Sequence, residues 1–236
     1  MLKLPKLIGH RGAAARAPEN TLASFRAAAD HSLTWIELDV YLTADSNLAI
    51  IHDRNLGRTT NGKGDVTKKK ASDLSALNAG QGQGVPLMKE VVDLCVEREL
   101  GLNIELKENL GMERETVKIL RNILEAYWPE TLPDPLISSF DTTMLKAAKS
   151  LLPHLPRGLL VEDLPQDWEE IAKKFKCQSI HLDQHYIDEN KIRLIRQAGY
   201  LALGYTVNDP VIAEKLWQWG IDALFTDLPP AMDKVN

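Results

Sequence analysis

Short β-rich runs alternate with helical patterns from one end of this chain to the other, and that alternation leaves few folds open. Strands are predicted at 6–9, 35–42, 101–106, 136–140, 157–161, 179–182, 201–207 and 221–226. A further run at 48–51 is expected to fold back on the second strand as a hairpin arm. Helical patterns are predicted at 21–31, 87–99, 113–126, 142–151, 168–175, 189–198 and 210–219. Eight main strands separated by helices predict an α/β fold, a closed (β/α)8 TIM barrel. The competing solution, an open doubly wound sheet, would place a glycine-rich turn after its first strand. This chain instead has His10-Arg11-Gly12-Ala13-Ala14-Ala15 there. Asn20 or Thr21, after Pro18, can cap the first helix, and Gly199 and Gly220 mark helix ends. A chain of 236 residues fits one barrel domain over 1–236.

One interval breaks the rhythm. From 54 to about 84 the sequence is polar and turn-rich, with Asn61-Gly62, Lys63-Gly64 and Gly80-Gln81-Gly82-Gln83-Gly84. That is too long for an ordinary connection. It reads as an insertion after strand two, lying over the mouth of the barrel on the leaving-group side of the site. Lys68-Lys69-Lys70 reads as a solvated face and the Gly-Gln repeat as flexible linker.

The strands on either side of this insertion carry an unusual front. Residues two apart in a strand share a face, so Glu37 and Asp39 point one way and Ile36, Leu38 and Val40 the other. The same alternation sets Asn103, Glu105 and Lys107 on one face, with Leu102, Ile104 and Leu106 behind. An apolar back suits a buried strand; an acidic front does not. Two carboxylates 4 Å apart repel by roughly 4 kcal/mol at an effective dielectric near 20. Positive charge must sit among them, either a hard divalent cation that prefers oxygen ligands or the fixed cations Arg11 and Lys107. His10 beside Arg11, and His52 after the hairpin arm, add groups that can move protons. Such parts suit cleavage of a phosphodiester.

The charge balance narrows the partners. Lys plus Arg is 28 and Asp plus Glu is 33, a formal net charge of −5. An acidic chain with no basic stripe is a poor nucleic-acid binder. An anionic substrate must therefore be met by local positive charge. No stretch approaches the ~18 apolar residues of a membrane span. The segment before His10, with Lys3, Pro5 and Lys6, leaves no room for a secretory leader. Cys95 and Cys177 are expected as buried thiols in a reducing cytosol, so a cytoplasmic location is expected. The sequence sets no oligomeric state.

In order along the chain stand His10-Arg11-Gly12, Pro18-Glu19-Asn20-Thr21, Glu37-Leu38-Asp39, His52-Asp53 and Leu56-Gly57-Arg58-Thr59-Thr60-Asn61-Gly62. Glu105-Leu106-Lys107, Tyr205-Thr206-Val207-Asn208 and Thr226-Asp227 follow. On these motifs the chain resembles the glycerophosphodiester phosphodiesterase family over nearly its whole length. Leu155-Pro156-Arg157-Gly158-Leu159-Leu160 and Ser179-Ile180-His181-Leu182-Asp183 make it similar to the short bacterial cytosolic members that work beside glycerol-phosphate uptake. The resemblance implies metal-dependent hydrolysis of a small glycerophosphodiester to sn-glycerol 3-phosphate and an alcohol. It implies His10 and His52 as the acid–base pair, with His10 as base and His52 as acid by analogy with related barrel phosphodiesterases. It further implies that Glu37, Asp39 and Glu105 hold Mg²⁺, Ca²⁺ or Mn²⁺. Arg11 would contact phosphate, Lys107 would support phosphate or carboxylate charge, and Tyr205 would line the pocket. Direct attack by water and attack by the glycerol 2-hydroxyl both remain open, as does the preferred head group.

Other residues carry less. His181 and His185 lack the helix that i,i+4 metal ligation needs; a substrate-pocket or a structural role is expected, the structural one by default. Ser138 and Ser139 have no matching base and orienting acid. Asp53 and Arg58 are expected to fix the His52 loop. A phospholipase C/D-like enzyme acting on intact lipid is one rival, and it needs an apolar rim that the polar insertion does not offer. A non-catalytic barrel that binds a glycerol phosphate is the other. It would be natural if a histidine or acidic ligand were missing, and none is.

Overall fold

The computed structural model describes residues 2–229. Its strands are β1 (Leu7–Gly9), β2 (Trp35–Leu42), β3 (Leu48–Ile50), β4 (Gly101–Leu106), β5 (Leu136–Ser139), β6 (Arg157–Val161), β7 (Ser179–Asp183), β8 (Leu201–Tyr205) and β9 (Ala223–Thr226). β1 pairs in parallel with both β2 and β9, which closes β1, β2 and β4 to β9 into a ring of parallel strands. β3 runs antiparallel outside β2, with Val40 opposite Ile50. The expected (β/α)8 barrel and its hairpin arm are what form.

The helices are α1 (Leu22–Asp30), α2 (Ala71–Ser75), α3 (Met88–Arg98), α4 (Glu113–Tyr127), α5 (Thr142–Leu151), α6 (Trp168–Phe175), α7 (Glu189–Gln197) and α8 (Pro210–Gln218). Their starts are chemically marked. Thr21, Asp141, Asp188 and Asp209 each accept a hydrogen bond from a first-turn backbone N–H, at the heads of α1, α5, α7 and α8. Between helices and strands lies an apolar layer that includes Phe25, Leu38, Ile104 and Leu120 on one side and Phe175, Ile180 and Ile192 on the other. Inside the ring, Ile8, Trp35, Leu136, Leu203, Ala223 and Phe225 form a separate cluster. Because helices cover the outside and this cluster fills the inside, every residue of β2 is buried.

Two strands stop short of expectation. β8 ends at Tyr205 instead of 207, because the next side chains leave the sheet for polar partners. Thr206 Oγ1 reaches His10, and Asn208 Nδ2 donates to Asp227 Oδ2 at 2.8 Å. β9 begins at Ala223 instead of 221.

The insertion differs more. It carries its own apolar cluster, in which Leu56, Val66, Leu74, Ala79 and Val85 pack on Tyr41, Ala49 and Ile51. The Gly-Gln repeat closes as a hydrogen-bonded turn, with Gln83 N–H donating to Gly80 O at 2.9 Å and Gly80 N–H to Asn78 Oδ1 at 2.9 Å. Among the described residues, none from 54 to 84 lines the cavity at the barrel mouth. The segment packs beside the mouth, against the hairpin arm, and does not cover it.

Candidate active site

A cavity of about 340 Å³ opens where the strands end. Strand register explains what meets there. β2 and β4 are parallel neighbours in which Glu37 stands opposite Asn103 and Asp39 opposite Glu105. Oxygen atoms of Glu37, Asp39 and Glu105 lie within 4.8 Å of one another. His10, Arg11, Glu37, His52, Glu105, Lys107 and Tyr205 all line the cavity. Asp39 does not reach its wall. It is 1% exposed and sits behind two cations, with Lys107 Nζ at 2.8 Å and Arg11 Nε at 3.3 Å.

The turn after β1 sets three of these contacts. Arg11 has a φ of 51° and Gly12 a φ of 87°. A Cβ on Gly12 would come within 2.3 Å of Ser24 Oγ, so only glycine lets this turn lie against α1. The backbone N–H of Arg11 then donates to Glu37 Oε2 at 2.9 Å. Its guanidinium pairs with Glu19 Oε1 at 2.8 Å and faces Asp39.

Each histidine has a carboxylate on Nδ1. His10 Nδ1 is 2.8 Å from Asp227 Oδ1, and His52 Nδ1 is 2.6 Å from Asp53 Oδ1. An ionised carboxylate only accepts, so Nδ1 carries the hydrogen in both rings and Nε2 is left for a ligand. Arg58 holds Asp53 and Glu19 together, with Nε 2.5 Å from Asp53 Oδ2 and Nη2 2.7 Å from Glu19 Oε1. The expected bracing of the His52 loop is present. Burial lowers the pKa of His52, and Lys107 and Arg11 lower it further against the opposing pull of Asp39.

The carboxylates are unequal. Burial, then the charges of Asp39 and Glu105, push Glu37 well above the usual carboxylate range. Burial and Asp39 raise Glu105 to about 7, although Lys107 Nζ lies 2.5 Å from its Oε1. Burial pushes Asp39 upward too, but Lys107, Arg11 and His52 together overcome it and hold that carboxyl low. Two carboxyls thus remain short of positive charge after both fixed cations are counted. An all-oxygen set with that deficit is consistent with a hard divalent cation.

Sequence reasoning left some participants without a role. Asn20 reaches from the first loop to Asp39, donating from Nδ2 to Oδ2 at 2.7 Å, while Thr21 alone caps α1. Asp227 and Thr206 flank His10. Their signal was their place in the quoted motifs, which names residues without saying what they touch. The rim also departs from expectation. Leu110, Met112, Phe140, Tyr186 and Val211, all in segments that follow strand ends, are exposed. His185 is exposed against Asp183, and His31 and His154 line no part of this cavity.

The profile of the Glycerophosphoryl diester phosphodiesterase family matches residues 10–231. A glycerophosphodiester phosphodiesterase of Caldanaerobacter subterraneus is 31% identical over 96% of this chain and 95% of its own length. One from Bacillus subtilis is 29% identical over 97% of this chain and 85% of its own. An Oleispira antarctica phosphodiesterase, solved in complex with the product sn-glycerol-3-phosphate, superposes with a TM-score of 0.94 at 38% identity, covering 97% of this chain and 95% of that one.

Proposed function

The chain belongs to the glycerophosphoryl diester phosphodiesterase family, and from that premise we propose that its cavity hydrolyses glycerophosphodiesters to sn-glycerol 3-phosphate and an alcohol. The whole chain would act as one catalytic domain. The observation that carries the reading is the meeting of two carboxylate-backed histidines with Glu37 and Glu105 in one cavity, with Asp39 clustered just behind its wall.

Glu37, Asp39 and Glu105 would hold a divalent cation, Mg²⁺, Ca²⁺ or Mn²⁺. When bound, it would supply Lewis-acid stabilisation of charge on the phosphate. Arg11 and Lys107, at the cavity wall, would attract the diester and shield its charge from the carboxylates. His52, kept neutral by burial and by the neighbouring cations, is fitted to accept a proton from the attacking hydroxyl at Nε2. That leaves His10, oriented through Nδ1 by Asp227, to give a proton to the leaving alkoxide. These roles reverse the order expected by analogy. Tyr205 donates to Val161 O at 2.9 Å, which fixes its ring as a wall of the pocket. Two free, buried thiols, Cys95 and Cys177, support a cytoplasmic setting.

The exposed apolar rim favours a second reading, a phosphodiesterase that takes intact lipid, although no helix among the described residues is long and apolar enough to cross a membrane. One assay decides. Release of glycerol 3-phosphate from glycerophosphocholine, and of phosphatidic acid or diacylglycerol from diacyl phosphatidylcholine, is measured with chelator and then with each metal restored. We expect release from the former only, lost on chelation and regained with a hard cation. Full activity in metal-free protein would remove the cation from the scheme. Preference for diacyl lipid would replace the substrate class.

A further inference from the structure

The floor of the cavity is polar where a barrel interior is ordinarily filled by branched apolar side chains. Asn103 on β4, Ser138 on β5 and His181 on β7 all line it, and none is more than 1% exposed. Asn103 Nδ2 donates to Ser138 Oγ at 3.0 Å, and His181 Nε2 lies 2.8 Å from Ser179 Oγ. Asn103 Oδ1 and His181 Nδ1 are left buried with no protein partner. An unpaired buried polar atom costs about 1–3 kcal/mol, and native structures leave few of them.

His181 keeps one ring nitrogen without a protein partner, which favours the substrate-pocket role over the structural one. It is accommodated on purpose. A Cβ at Gly158 on β6 would lie 2.4 Å from its Nε2, so glycine there makes room for the ring. The ring also packs on Phe225, with centroids 5.3 Å apart.

The two free atoms define what they can bind. Asn103 Oδ1 is an acceptor only, and a phosphate diester has no hydrogen to give it. Burial lowers the pKa of His181 to about 3, so the ring stays neutral and offers a hydrogen bond without charge. An ammonium group would find no counter-charge on Asn103, Ser138 or His181. A hydroxyl suits both atoms: its one hydrogen goes to Asn103 Oδ1 and its oxygen accepts from His181 Nδ1–H, with Ser179 Oγ donating to Nε2 on the far side of the ring.

We propose that Asn103 and His181 bind the terminal (C1) hydroxyl of the substrate's glycerol end, making them specificity-determining residues for a glycerol that is not esterified there. The assignment rests on the proposed function. Glycerol is the part all such substrates share, and it suits the closed floor. The variable alcohol then faces the open side, where Phe140 and His185 stand exposed. An acyl ester at C1 removes the hydrogen that Asn103 Oδ1 requires, so this floor also selects against acylated glycerol.

The test compares glycerophosphocholine with its 1-deoxy analogue, the choline phosphodiester of propane-1,2-diol. Calorimetric binding of sn-glycerol 3-phosphate and propane-1,2-diol phosphate runs in parallel. In the wild-type protein, loss of the hydroxyl should lower kcat/KM by at least ~10²-fold, because the site's polar atoms are left unpaired. In Asn103→Leu and His181→Leu that penalty should shrink below ~10-fold. Equal wild-type rates on the two diesters would overturn the proposal without any variant. An undiminished penalty in folded variants would do the same. Loss of the Mg²⁺-induced rise in Tm in Asn103→Leu would make Asn103 a cation ligand and overturn its assignment to the hydroxyl. If the wild-type protein turned over neither diester, the proposed function would fall, and the binding pair would still decide the hydroxyl assignment.

Discussion

Glu105 shows how a buried carboxyl couples a cation site to pH. Its pKa rises from the ordinary 4.5 to about 7 because burial and Asp39 disfavour the charged form more than Lys107 favours it. A folded-state pKa above the unfolded value means the native protein binds the proton more tightly. Without metal, this group's stabilising contribution is complete below about pH 4.5 and is lost as pH rises through about 7. A divalent cation supplies the missing positive charge once the proton has gone. The metal-induced rise in Tm should therefore be small at pH 5 and large at pH 8. A shift of equal size at both values, read by calorimetry with and without chelator, would remove Glu105 from the ligand set. The histidines make a different demand. His10→Ala and His52→Ala should each lower kcat by on the order of 10²–10⁴-fold while keeping the metal-induced shift. A diester with a nitrophenol leaving group needs no proton on departure, so it should restore much of the His10→Ala rate and little of the His52→Ala rate. The opposite pattern would return the pair to His10 as base and His52 as acid.

At the scale of elements, the insertion after the hairpin arm acts on the site through one side chain. Arg58 links Asp53, which orients His52, to Glu19, which pairs with Arg11. Arg58→Ala should lower kcat roughly 10–100-fold, since an ångström of misplacement at a reacting group is costly. The ratio of rates on glycerophosphocholine and glycerophosphoglycerol should stay constant, because no residue from 54 to 84 lines the cavity. A changed head-group ratio would put the insertion back over the leaving alcohol. What was legible in the sequence follows the same division. Alternation along β2 and β4 is a local, period-two signal, and it puts Glu37 and Asp39 on one face of β2 and Glu105 on one face of β4; the register between the strands then joins them. α2, five residues long, has too few turns to show a period. Glycine and glutamine suggested a flexible linker because composition carries no record of Asn78, whose side chain accepts from the N–H groups of Gly80 and Gly82. Asn20, Thr206 and Asp227 meet their partners across long stretches of sequence, and no local pattern reports such meetings. The unpaired atoms of Asn103 and His181 were hidden for the same reason.

Over the whole molecule, the two ends of the barrel divide the work. The strand ends that carry the acids and histidines hold charge against charge at a cost in stability, and the opposite end should supply compensation without touching the chemistry. Arg157, the first residue of β6, is 3% exposed and has no carboxylate partner among the described residues. Its guanidinium instead donates to main-chain carbonyls. Nη1 bonds Leu152 O at 3.0 Å and Leu155 O at 2.7 Å, beyond the end of α5, and Nε bonds Phe175 O at 2.9 Å at the end of α6. Carbonyls past a helix end have no intrahelical donor, and the helix dipole favours a cation there. Burial lowers the pKa of Arg157, but a guanidinium keeps its charge in proteins. One side chain thus ties α5, α6 and β6 together beneath the barrel. Arg157→Met keeps most of the apolar stem and removes the donors, leaving Leu155 O and Phe175 O unpaired while Leu152 O keeps the backbone N–H of Leu155. Such a loss should cost about 3 kcal/mol, and at ~2–4 °C per kcal/mol for a chain of this size it should lower Tm by ~6–12 °C. At a temperature where the variant is fully folded, kcat and KM for glycerophosphocholine should match the wild-type values. A fall in kcat with Tm unchanged would show that the two ends are coupled and that the division fails.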